Sequence, residues 1–135
     1  MPALIELHTN DLSAVKSYYV DMGFSVAWDR QPGATEGYLA LQMDDNVLCF
    51  RGDNRAPEQP QYQQIAAATT GPLAQIVIMV QDVETYYAKV QSFANITEPL
   101  AMQESGQLDF HCTDPNGNHV RFTNRYDPLD PSTAN

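Results

Sequence analysis

Apolar and polar residues alternate along two stretches of the chain. In the first, Leu39, Leu41 and Met43 lead into Asp44-Asp45-Asn46, and Leu48 and Phe50 resume the alternation; in the second, Leu108, Phe110 and Cys112 lead into Asp114-Pro115-Asn116-Gly117-Asn118, followed by Val120 and Phe122. A period of two around a cluster of turn formers is the pattern of a β-hairpin. The two hairpins are copies: Asn46-Val47-Leu48-Cys49-Phe50 lies over Asn118-His119-Val120-Arg121-Phe122 at an offset of 72. Upstream, Ile5 to Leu12 matches Ile76 to Val83 at an offset of 71, each an apolar run ended by an acidic residue that opens a helical pattern. Internal repetition at a fixed spacing organises everything else. The pattern predicts an α+β fold of two βαβββ modules: module one at 1–53, a polar connector at 54–71 and module two at 72–124, together one domain.

Within each copy the elements follow from spacing and punctuation. Ala3 to Thr9 reads as a strand whose Ile5 and Leu7 face a helix while Leu4, Glu6 and His8 face the other way. Asp11 or Ser13 caps that helix, Ala14, Tyr18 and Met22 form its predicted buried stripe, and Gly23 ends it. Phe24 to Asp29 is the second strand, broken by Gln31-Pro32-Gly33. Pro72 to Val80 is the fifth strand, Asp82 caps a helix running to about Ala94, and Thr97 to Gln103 is the sixth strand. Residues 125–135 hold two Asp-Pro pairs and few apolar side chains, so a flexible tail is expected.

Charge narrows the partners. The 17 acidic residues against 7 basic ones give a net charge of −10, which repels nucleic-acid phosphates, so no nucleic-acid partner is expected. The first residues have neither a basic region nor a long apolar core, and no apolar run approaches the roughly 20 residues of a membrane span. A cytoplasmic protein without a membrane partner is therefore expected. Cys49 and Cys112 both fall on predicted strands, outside any CxxC arrangement, and are expected to be reduced.

Alternation also assigns faces. If Leu48, Phe50, Val120 and Phe122 pack under the helices, then Val47, Cys49, His119, Arg121 and Thr123 turn the other way, joined by Glu6 and His8. Glu6 and Arg121 then either neutralise each other as a partly buried pair or keep one side open to a ligand. Trp28 and Tyr38 form a candidate aromatic wall for a flat ligand, with core packing or a subunit contact as the plainer reading for Trp28. His111 reads as a satisfied strand histidine and His119 as a solvated turn residue. No phosphate loop, nucleophile elbow or paired-histidine zinc motif occurs.

Asn10-Asp11-Leu12, Tyr18-Tyr19 and Met22-Gly23-Phe24 near the start, and Phe110-His111-Cys112-Thr113-Asp114-Pro115-Asn116-Gly117-Asn118-His119-Val120-Arg121-Phe122 near the end, carry a resemblance. From Leu4 to Asn124 the chain resembles the vicinal oxygen chelate superfamily of glyoxalases, bleomycin resistance proteins and dioxygenases. That resemblance implies two curved mixed sheets with a concave ligand pocket, and a homodimer. The metal-ligand positions of such enzymes correspond here to Leu4, Cys49, Gln75 and Arg121. Leu4 offers no donor atom and Arg121 brings a permanent positive charge, so no metal, no cofactor and no catalytic residue are assigned. The chain is most similar to the bleomycin resistance type, which implies a metal-independent binding protein that sequesters a small, partly aromatic and possibly cationic ligand. Glu6, His8, Trp28, Tyr38, Cys49, Gln75 and Arg121 are its candidate ligand contacts. The alternative is a glyoxalase- or dioxygenase-like lyase or isomerase of the same superfamily, with Glu6 or His8 as the base in a metal-free version.

Overall fold

The computed structural model describes residues 4–30, 37–52 and 75–134. The expected connector at 54–71, the break at Gln31-Pro32-Gly33 and the start of the fifth strand at Pro72 lie outside these residues. The chain divides into two compact units, Met1–Leu73 and Ala74–Asn135.

The first unit runs β1 (Glu6–Thr9), α1 (Leu12–Asp21), β2 (Ser25–Arg30), β3 (Gly37–Met43) and β4 (Asn46–Gly52). The second repeats the order with β5 (Gln75–Val80), α2 (Val83–Val90), β6 (Ile96–Met102), β7 (Leu108–Thr113) and β8 (His119–Asn124). Each forms a four-stranded mixed sheet, ordered β1-β4-β3-β2 in one and β5-β8-β7-β6 in the other. The first and last strands of each unit pair in parallel and the hairpins pair antiparallel. The ladders share a register. Glu6 lies beside Cys49 and Ala40 is opposite Cys49, just as Val77 lies beside Arg121 and His111 is opposite Arg121.

Local chemistry sets the boundaries. Asp11 caps α1 by accepting from the Ala14 N–H at 3.0 Å. The helix closes where the Phe24 N–H donates to the Tyr19 carbonyl and the Gly23 N–H to the Val20 carbonyl, with Gly23 at φ +109°. That left-handed geometry is open to glycine at little cost. Asp82 caps α2, and hydrogen bonds from Thr85, its hydroxyl first and its N–H second, hold the Asp82 carboxyl below the usual carboxylate range. In the second hairpin turn the buried Asp114 carboxylate accepts from the Asn116 N–H, the Asn118 N–H and the Asn118 side-chain amide, each at 2.9 Å.

One face of each sheet packs on its helix. In the first unit Tyr19 lies at the centre, with ring centroids 5.4 Å from Phe24 and 5.7 Å from Phe50. The buried stripe of α1 is Leu12, Val15, Tyr19 and Met22, which corrects the expected stripe at Ala14 and Tyr18 by about one residue's rotation; both of those are half-buried. In the second unit Phe110 and Phe122 stack at 4.9 Å, flanked by Tyr87 and Tyr86. Helix α2 ends at Val90, short of Ala94, and passes into a turn in which the Phe93 and Ala94 N–H groups donate to the Val90 carbonyl. The last segment, expected to be a flexible tail, holds local structure. Asp127 pairs with Asp130, a 3-10 turn spans Pro131–Ala134, and Thr133 accepts from the Asp127 N–H at 2.7 Å.

Candidate functional site

The face of the first sheet turned away from α1 carries five of the seven candidate contacts. Register and alternation place Glu6 and His8 on β1, Cys49 on β4, Tyr38 on β3 and Trp28 on β2 on the same side. A bulge between Val26 and Trp28 re-aims β2, so that Ser25 and Trp28, an odd number of residues apart, share this face. Trp28 is 55% exposed and lies 5.2 Å from Tyr38, centroid to centroid, at an interplanar angle of 50°. An indole left half in solvent beside a phenol is a ready surface for a flat ring. The Tyr38 hydroxyl reaches the buried Cys49 thiol. That hydrogen bond, then desolvation and the nearby Cys49 and Glu6 groups, pushes Tyr38 up from 10.0 to about 12.

Glu6 has an ion-pair partner on its own sheet. Arg51 Nε stands 3.8 Å from Glu6 Oε1, and both side chains are more than a third exposed. A loose, wet pair of this kind is worth at most about 1 kcal/mol, so a ligand cation can compete for the carboxylate.

The corresponding face of the second sheet is different in kind. Arg121 Nε donates to Asp109 Oδ2 at 2.6 Å and Arg121 Nη2 to Gln107 Oε1 at 2.7 Å. The second Asp109 oxygen accepts from Gln103 Nε2 at 2.8 Å, and His111 Nε2 lies 3.3 Å from Glu98 and 3.6 Å from Asp109. Only 3% of the Asp109 side chain and 13% of Arg121 are exposed. Within its own unit each of these charges already has a partner: Arg51 faces Glu6, and Arg121 is bound by Asp109 and Gln107. Gln75 opens β5 beside His119, two residues before Val77, the neighbour of Arg121. Thr123 shares the face of Arg121, as its register opposite Asp109 requires, and is buried there, donating to the Leu108 carbonyl at 2.9 Å.

Asp109 is the residue the sequence reading missed. The alternation of Leu108-Asp109-Phe110-His111 already put Asp109 and His111 on one side, and Arg121 on the next strand shares it.

Comparison with known proteins gives the family. The sequence profile of the glyoxalase/bleomycin resistance protein/dioxygenase superfamily matches residues 3–122. The chain belongs to this superfamily. Among solved structures of the same fold are a bleomycin resistance determinant encoded on the transposon Tn5 (TM-score 0.66, 18% identity, 94% of this chain and 99% of that one) and a bleomycin-binding protein complexed with bleomycin (0.66, 19%, 93% and 99%). TioX from Micromonospora sp. ML1 is another (0.65, 20%, 90% and 96%). At these identities the likeness shows the fold alone. No curated protein sequence matches significantly.

The metal chemistry of the superfamily's enzymes does not fit the residues in the corresponding positions. Leu4 precedes β1, is 63% exposed and is aliphatic, and the guanidinium of Arg121 is already held by Asp109 and Gln107. Among the described residues no three His, Cys, Asp or Glu side chains converge in a group that could hold a metal ion. Nor is any described helix long and apolar enough to cross a membrane.

Proposed function

We propose that this superfamily member is a metal-independent binding protein of the bleomycin resistance type, a cytoplasmic homodimer that sequesters a small, partly aromatic, cationic ligand. The observation that carries the reading is the half-exposed Trp28 tilted against Tyr38 on the helix-free face of the first sheet. A planar ring of the ligand packs on the exposed indole beside Tyr38, and the Glu6 carboxylate, only loosely held by Arg51, receives a positive group. His8 and Cys49 form the polar floor between them.

Trp28 is the only tryptophan, so its fluorescence reports the site directly. Titration with bleomycin is expected to change the emission saturably, in the same way before and after dialysis against a chelator. Trp28→Ala is expected to leave the fold intact and remove binding measured by calorimetry. Unchanged emission at millimolar bleomycin removes that ligand class, and a response abolished by the chelator removes metal independence. Light scattering of the purified protein tests the dimer.

A further inference from the structure

The strands of the first sheet line up a row of side chains beside the Trp28–Tyr38 contact. Arg30 is opposite Tyr38, Tyr38 is opposite Arg51, and Arg51 lies beside His8, so that Arg30, Tyr38, Arg51 and His8 run across β2, β3, β4 and β1 on the face away from α1. Neighbouring strands stand about 4.8 Å apart, which puts the two arginine backbones roughly 10 Å from each other with Tyr38 between them. Two long side chains at that separation can meet over one small anion.

Both guanidiniums have donors to spare. Arg30 is exposed and takes no partner among the described residues. Arg51 has Glu6, but the 3.8 Å between Nε and Oε1 is an ion pair too long for a hydrogen bond. Among the described strand residues Glu6 is the one carboxylate on this face. Asp29, between Trp28 and Arg30 in sequence, turns to the other face, where Lys16 holds it at 2.7 Å. With 7 basic residues against 17 acidic ones in the chain, two arginines on one row run against its overall charge. The loose pair also sets a condition on the ligand. A cation that takes Glu6 leaves Arg51 without its partner, whereas a ligand that brings an acidic group with its positive one satisfies both members of the pair. The fork of N–H donors on an arginine matches the two oxygens of a carboxylate.

Building on the binding role of Trp28 and Glu6, we propose that the Arg30–Tyr38–Arg51 row is a carboxylate site, so that the ligand class of the first face is an aromatic zwitterion. Its ring lies on the Trp28 indole, its positive group at Glu6 and its carboxylate between the two arginines.

Three probes with one phenyl ring test this by charge: phenylalanine carries both signs, phenethylamine the positive alone and hydrocinnamate the negative alone. None contains an indole, so Trp28 emission reads each titration of the full chain. Dissociation constants near the millimolar level are expected for ligands of this size, with phenylalanine about tenfold tighter than phenethylamine, the worth of one charge-assisted hydrogen bond, and hydrocinnamate the weakest because it leaves Glu6 unmatched. In Arg30→Gln the advantage of phenylalanine is expected to shrink to about twofold. In Arg51→Gln, which releases Glu6, phenethylamine is expected to tighten by about threefold while phenylalanine weakens. Equal affinities of phenylalanine and phenethylamine, or an advantage unchanged in Arg30→Gln, would overturn the carboxylate site and leave the roles of Trp28 and Glu6 standing. Emission unmoved by phenylalanine overturns the site too, and the bleomycin titration then tells whether the first face itself has failed.

Discussion

The two units share one backbone plan and carry opposite chemistry on the face away from the helix. In register, Tyr38 of the first corresponds to Asp109 of the second, Ala40 to His111, Cys49 to Arg121, and Trp28 to Glu98. The first set is aromatic and uncharged, and it leaves its indole half in water. The second is ionic and closed, each member taking a partner from the same sheet. The frame is set by the hairpins and the helix-facing apolar residues, which are alike in both copies. What a face can bind is set by residues that the frame leaves free to vary.

The largest expected effect lies in the second unit. Replacing Asp109 with Ala strands the Arg121 guanidinium, 13% exposed, and removes an acceptor from Gln103. Breaking a buried pair from one side typically costs about 3–5 kcal/mol, because an uncompensated charge remains. Replacing both partners, Asp109→Leu with Arg121→Met, is expected to recover most of that loss. Urea unfolding of the three proteins measures it. A loss under about 1 kcal/mol in Asp109→Ala would mean that the network is no more than a surface arrangement. At the matching position of the first unit, Tyr38→Phe removes only a hydroxyl next to Cys49 and is expected to leave the midpoint almost unchanged.

The second effect contrasts neighbours on one helix. Tyr19 is fully buried between Phe24 and Phe50, while Tyr18 is half-buried. Tyr19→Ala is expected to cost about 3–5 kcal/mol, in the range of aromatic truncations in a core, and Tyr18→Ala under about 2. Thermal melts decide between them, and a reversed order would restore the stripe through Ala14 and Tyr18.

That stripe shows where sequence reading stopped. The repeat, the hairpins and the Asp11 and Asp82 caps were legible because each depends on neighbours within a few residues. Tyr18 and Tyr19 both fit a helical period with Met22, and only the sheet beneath α1 selects Tyr19. The same limit hid the partner of Arg121. Asp109 is opposite Thr123, not Arg121, so its carboxylate reaches the guanidinium diagonally, and diagonal contacts need the register that pairing alone supplies. The tail composition spoke for disorder, whereas the Asp-Pro pairs supply turn chemistry that closes on Thr133.

The smallest effect separates the two faces by titration. On the first face the Tyr38 hydroxyl is held protonated chiefly by its hydrogen bond to Cys49, with desolvation and the Glu6 charge acting the same way, and titrates at about 12. A group whose value is raised on folding favours the folded state in its protonated form. Its contribution is therefore whole below the unfolded value of about 10 and fades as pH rises through about 12. The near-ultraviolet phenolate absorbance of the native protein should show this late step, and Tyr38→Phe should delete it from a background of six other tyrosines. Cys49→Ala removes the leading cause and should bring the step back toward the ordinary value while leaving the Trp28–Tyr38 ring contact in place. Tyr86 in the second unit is also pushed up, but mainly by burial, so Cys49→Ala should not move it. If Cys49→Ala left the late step where it was, desolvation would be the dominant cause on both faces, and the contrast between them would rest on Asp109 and Arg121 alone.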